Sequence, residues 1–189
     1  DLTGDLAAEN WILHQMPMTV LDNVEITEEM CKGWLKYVAP ILAEATSVDG
    51  RLSLELGQAK FLPFEPAKQA VAGKLKVHNA TVGPGVLSAG VIQLVRDVEA
   101  IRKRELAQTI SGTQKIWMDM QPQEIDFQMV EGQITHRNIA VRIGDATVST
   151  QGTVHVAGPM QILTVMPIPD DWIEKSPWLA GLRGQSLEF

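Results

Sequence analysis

The sequence predicts an α+β fold: a curved, mainly antiparallel β-sheet, built as a meander, with two amphipathic helices packed on one face. Three features of the chain predict it. Two stretches space their apolar residues at helical period, a long run after Ile116 alternates apolar and polar residues between Gly-containing turns, and a short Gly-strand pattern recurs four times. Residues 1–189 read as a single domain. Asp1 in place of an initiator Met, no signal-peptide pattern, and a closing Ser186-Leu187-Glu188-Phe189 that looks like the start of a strand predict a segment of a longer chain.

The first helix is expected near 27–44. Thr27 is a suitable N-cap, because its hydroxyl can accept a backbone N–H that the first turn leaves unpaired, and Glu28 and Glu29 complement the dipole there. Met30, Trp34, Val38, Ile41 and Leu42 form an apolar stripe. Pro40 lacks the N–H that a helix interior needs, so the helix should kink there or end one residue earlier.

The second helix is expected near 85–108, after Gly83-Pro84-Gly85. Leu87, Val91, Leu94, Val95, Val98 and Ile101 make its stripe, and Gln93, Arg96, Asp97, Glu99 and Lys103 lie opposite. Leu94 marks the face predicted to be buried. The helix should stop before Ser111-Gly112.

The meander is expected over 116–168. Ile125, Phe127 and Met129 alternate, and Glu131-Gly132 has the composition of a hairpin turn, where glycine adopts positive φ without steric penalty. Strands then follow over 133–143, 146–156 and 160–168, separated by Gly144-Asp145 and Ala157-Gly158. The last is apolar on both faces and should be covered on both. VDGRLSL (48–54), VAGKLKV (71–77), VEGQITH (130–136) and STQGTVHV (149–156) repeat one pattern. Gly152 should mark a bulge that bends a long strand, and Gly50 and Gly73 fit either a bulge or a turn.

Composition excludes several functions. A net charge of −7 argues against a nucleic-acid partner, which requires clustered Lys and Arg. The one basic cluster, Arg102-Lys103-Arg104, falls where the second helix should end. No apolar run approaches the ~20 residues that cross a bilayer, so membrane attachment is expected only through the parent chain. The single cysteine, Cys31, forms no internal disulfide and reads as a small buried hydrophobe.

Signals for chemistry are thin. Gly85-Val86-Leu87-Ser88-Ala89-Gly90 is one residue too long for a nucleophile elbow and opens a helix without a strand immediately before it. His14, His78, His136 and His155 fall in four segments. His136 and His155 would supply two metal ligands if the meander brought them together, but no third is indicated, and surface-facing histidines are the plainer reading. Asp170-Asp171 after Pro169 reads as the start of a turn or short helix ending near Pro177. No catalytic residue, cofactor site or metal site is assigned.

The stretch FQMVEGQITHRNIAVRIGDATVSTQGTVHVAGPMQILTVMPI, Phe127 to Ile168, resembles the C-terminal region of the AsmA-like bacterial envelope proteins, which include the TamB and YdbH groups. The likeness lies in its sequence of apolar strands, acidic-Gly turn and Gly-broken strand, and extends to LRGQSLEF at 182–189. The resemblance implies a curved sheet with an apolar inner face along which lipid acyl chains pass, without catalysis. The positions that would line such a groove are Phe127, Met129, Ile139, Val141, Ile143, Ile162 and Val165. It also implies a bacterial periplasmic or envelope location, and lipid acyl chains or envelope proteins as partners. The two helices depart from the long β-only members and would fill the groove locally. A protein-interaction or scaffolding module, using a sheet edge or the apolar face, is the competing expectation.

Overall fold

A computed structural model of the chain describes residues 2–5, 12–43, 45–61, 69–103, 118–168, 170–175, 181 and 183–188. Among the described residues eleven strands form one sheet, antiparallel at every pairing: β1 Leu2–Asp5, β2 Ile12–Gln15, β3 Met18–Glu25, β4 Val48–Phe61, β5 Ala70–Val82, β6 Met118–Met120, β7 Gln123–Val130, β8 Gln133–Ile143, β9 Ala146–His155, β10 Met160–Pro167 and β11 Ser186–Glu188. Two of its rungs are broken strands. β2 and β3 lie end to end along β4, interrupted at Met16-Pro17, and β6 and β7 lie end to end between β5 and β8, interrupted at Gln121-Pro122. Each interruption contains a proline, which has no N–H to give the ladder. With each broken pair counted as one rung, chain order equals spatial order, so the meander extends well beyond the predicted 116–168.

The hairpins follow the turn residues. Val130 faces Gln133 across Glu131-Gly132, where both central residues have positive φ (52° and 76°), as a two-residue hairpin loop requires. Ile143 faces Ala146 across Gly144-Asp145.

The bulges do not fall on the predicted glycines. Gly152 sits in regular register between His136 and Ile162, and the irregularity lies on the neighbouring strand, where Arg137 and Asn138 (φ 56°) oppose Gln151. Gly50 and Gly73 also lie inside regular pairings, opposite Ala80 and Phe127. The β4–β5 register slips nearby, at His78 and between Leu56 and Ala59, and β3 slips twice. Bulges increase local twist and bend the strand that carries them.

The glycines answer a different demand, which is close approach. A Cβ on Gly152 would meet the Gln161 carbonyl oxygen and lie 2.9 Å from Ile162 Cα, and a Cβ on Gly73 would meet the Phe127 ring. Gly152→Ala should therefore destabilise the protein by about 1–3 kcal/mol in a urea titration, because backbone yields less readily than a side-chain tip. Gly90, exposed on a helix with nothing within 4 Å of its missing Cβ, should behave oppositely. Gly90→Ala should stabilise by about 0.5–1 kcal/mol, by helix propensity.

The first helix is shorter and more broken than 27–44. Thr27 caps it as expected, its Oγ1 accepting the Met30 N–H at 3.2 Å. α1 (Glu28–Met30) passes into a π-turn over Cys31–Leu35, where Gly33 leaves helical geometry (ψ −111°), then α2 (Lys36–Val38). Ala39 ends it and Pro40–Leu42 forms a 3-10 turn. The break rotates the buried face, so Cys31 and Leu35 are fully buried while Met30 and Trp34 are half-buried. α3 spans Val86–Lys103; the expected end near Ser111-Gly112 lies outside the described residues. Among its described residues Ser88, Ile92 and Val95 are buried. Val95 lies in the predicted stripe, whereas Leu94 is only half-buried and Ile92, outside the stripe, is buried, which shifts the predicted face by part of a turn. α2 contacts β8 and β9, and α3 contacts the Pro40–Leu42 turn. A short helix, α4 (Asp170–Lys175), adds Trp172 and Ile173 to the same apolar core.

Candidate apolar face and its polar inclusions

Pleating sends alternate residues to opposite sides, and the register groups them into rows across the sheet. One row reads Met18, Leu56, Gly73, Phe127, His136, Gly152, Ile162 over seven strands. The row beside it reads Ala59, Val71, Met129, Ile134, Val154, Met160. On the other side lie Leu21, Leu54, Leu75 and Ile125, and across the β8 bulge Ile139, Thr150 and Thr164. From β3 to β10, except for His136 and the two threonines, the residues of these rows are apolar or glycine; on β2 the Ala59 row continues to Gln15.

The opposite face is polar. Lys74 pairs with Glu124 and Lys76 with Glu55, each at 2.6 Å, and Arg142 pairs with Asp119 at 3.0 Å. Such exposed pairs contribute under about 1 kcal/mol each, but opposite charges on neighbouring strands favour this register over a one-residue slip, which would move them onto the apolar side. A depression of about 700 Å³ over β8, β9 and β10 is lined by Thr135, Arg137, Gln151, Thr153, Gln161 and Leu163 together with His136, Gly152, Met160 and Ile162.

The seven predicted groove residues divide three ways. Phe127, Met129 and Ile162 lie in the two adjoining rows whose members include half-buried Met129 and Ile162 and exposed Met18 and Met160. Ile139, Val141 and Ile143 are 0–2% exposed and belong to the closed core, on a strand that α2 touches. Val165 points to the other side from Ile162, since it pairs with Ser149 while Ile162 pairs with Gly152. The four strands of Phe127–Ile168, β7 to β10, thus give one apolar face that is closed at one end and partly accessible toward the Met129–Met160 row.

His136 departs from the surface position expected for it. It is fully buried, and burial lowers its pKa from 6.5 to about 4, so the imidazole is neutral. Among the described residues, neither ring nitrogen nor the Thr150 hydroxyl has a hydrogen-bond partner. The alternation Ile134, His136 is the signal in the sequence that points inward, against the surface position expected from the residue type. His155 is exposed at the end of β9, opposite Gln133, so the two histidines form no metal pair; among the described residues no cluster of three His, Cys, Asp or Glu exists. An unpaired buried hydroxyl costs more than an apolar group of the same shape. Thr150→Val should therefore raise stability by about 1 kcal/mol, read as a higher urea midpoint at unchanged slope.

A second polar cluster was not visible in the sequence. Ser53 Oγ lies 2.9 Å from His78 Nε2 and 3.3 Å from Asp22 Oδ1, and accepts the Asn23 N–H at 2.8 Å. These residues come together because β3 bulges at Asp22-Asn23 and β5 at His78, on either side of β4. In a hydrolytic triad the carboxylate orients the imidazole; here it contacts the serine, and Ser53 is only 4% exposed. The cluster clamps two facing bulges. Arg51 reinforces it, donating from Nε to Asn23 Oδ1 at 2.8 Å.

The remaining candidates have structural roles. Ser88 is buried at the start of α3, its Oγ accepting the Gly85 N–H at 2.7 Å and donating to the Gly85 carbonyl at 3.3 Å. Cys31 is fully buried, and burial pushes its thiol up to about 11, which suppresses the nucleophilic thiolate. Among the described residues no helix is long and apolar enough to cross a membrane. Comparison of the chain with protein-family models, with curated proteins and with solved structures finds no match.

Proposed function

We propose that this chain is a non-catalytic domain of a bacterial cell-envelope protein of AsmA-like type, acting in lipid transport or outer-membrane maintenance from the periplasmic side. One observation carries the reading: a continuous antiparallel meander presents an apolar face seven strands wide, with Met18, Met129 and Met160 along its more accessible part. Apolar surface exposed in this way favours an apolar partner, and thioether side chains adapt to chains of varied shape. In this reading the two helical segments pack on that same face and close the Ile139–Ile143 end, so that lipid contact is confined to the rows of Phe127 and Met129. Attachment to a membrane comes only from the parent chain.

Gentle purification followed by native mass spectrometry tests the proposal. Adducts with the mass of phospholipid or fatty acid, removed by delipidation and restored on adding lipid, are the expected result. A clean protein mass under the same conditions overturns it.

The scaffolding alternative draws on a separate observation. β11 covers only Val165–Pro167 of β10, and among the described residues no strand pairs with Met160–Thr164 on that side. An open edge of this kind accepts an extended segment from another protein by strand addition. A specific dimer with a clean mass in the same experiment favours this second reading.

A further inference from the structure

We infer that His136 and Thr150 form a hydrogen-bonding anchor, set within the apolar face, for the uncharged hydroxyl or carbonyl group of a single-chain amphiphile. The inference rests on the proposed lipid-binding reading and names the ligand chemistry of that face. His136 and Thr150 are diagonal neighbours on adjacent strands, because His136 pairs with Gly152 and Thr150 with Ile139 beyond the bulge. Their exposures are 0% and 2%, and three polar atoms, His136 Nδ1 and Nε2 and Thr150 Oγ1, have no hydrogen-bond partner among the described residues. Buried polar groups are nearly always paired, so two orphaned neighbours are a cost that a bound polar group offsets.

The surroundings define what fits. Phe127 precedes His136 in its row, Ile162 ends the row, and Met129 leads out toward the accessible side. The three rows around the pair carry no Lys, Arg, Asp or Glu, so a phosphate or carboxylate would be buried without a counter-charge. A neutral imidazole offers one donor and one acceptor nitrogen, and the threonine hydroxyl offers both, which matches an alcohol or an ester. The alkyl chain then runs along Phe127, Met129 and Ile162.

Dodecanol and dodecane separate this anchor from simple apolar binding, since they differ by one hydroxyl. Displacement of a fluorescent apolar probe from the full chain gives both affinities. The wild type should prefer dodecanol by roughly tenfold, the size of one buried hydrogen bond. His136→Leu and Thr150→Val should bind dodecane as before and lose that preference to within about twofold. Both substitutions exchange an unpaired polar group for an apolar one, so folding is retained, and circular dichroism verifies it. Long-range ¹⁵N spectra of the His136 ring should move with dodecanol and stay fixed with dodecane, a response that a purely structural histidine does not give. Equal binding of the two ligands by the wild type, or an unchanged preference in both variants, overturns the anchor and leaves the apolar-face reading standing. Failure of the wild type to bind either ligand overturns both.

Discussion

Val95→Asp should unfold this protein or reduce its stability by about 3–5 kcal/mol, the cost of a charge buried without a partner. Val95 is 2% exposed on α3, and with Ile92 it joins the apolar core that also contains Ile41 and Leu42 of the 3-10 turn. The contrast with its neighbours makes the test specific. Leu94, half-buried one residue earlier, should tolerate aspartate with a clearly smaller loss, and Gln93, exposed and bonded to Asp97 at 2.8 Å, should accept alanine within about 0.5 kcal/mol. Urea titration of the three variants measures the order. Equal, small losses at Val95 and Leu94 would show that α3 is not docked on the core.

Lowering the pH from about 6.5 to about 4 should weaken the fold by roughly 3 kcal/mol through His136 alone. The sign follows from the two pKa values. The unfolded imidazole takes a proton near 6.5, whereas the buried one stays neutral to about 4 because burial penalises its charged form. Between those values the unfolded chain binds more protons, so stability falls as pH falls, and below about 4 this contribution is constant. The Glu124 carboxyl, held below its usual value by hydrogen bonding to Lys74, weakens the fold only at lower pH, as it becomes protonated. His136→Leu should therefore flatten the difference curve between pH 6.5 and 4.5 while leaving acid unfolding below it in place. Thermal melts of both proteins over that range, taken as a difference, check the prediction. Parallel curves would place His136 in contact with water.

The groove assigned from the resemblance to AsmA-like proteins illustrates how far pattern reasoning reaches. Phe127 and Met129 alternate with polar residues, so parity alone placed them on one face, and the register agrees. The same parity rule separates Ile162 from Val165, which the resemblance had grouped together. His136 shares the parity of Ile134, yet its residue type suggested the surface. Its burial depends on Phe127 and Gly152 flanking it across two strands, which no local window contains.

The glycines divide similarly. Gly132 was legible because a two-residue loop between alternating runs needs positive φ, a local requirement. Gly152 was misread as a bulge because its constraint is the backbone of β10 pressed against it, a long-range one. The Ser53–His78–Asp22 cluster was invisible for the same reason: it joins three strands through two bulges, and bulges leave no compositional trace.

By itself the sequence determined the antiparallel meander, the Thr27 cap, the Pro40 stop, and the helices at Glu28 and Val86. Each follows from forces acting within a few residues: alternation, turn stereochemistry, capping and the missing proline N–H. Only the tertiary structure decided that the meander runs through the whole sheet, that α3 buries Ile92 while Leu94 stays half-buried, and that His136 and Thr150 sit among apolar neighbours with no partner among the described residues. Those outcomes depend on which strands meet and in what register, and that is set by burial summed over the sheet.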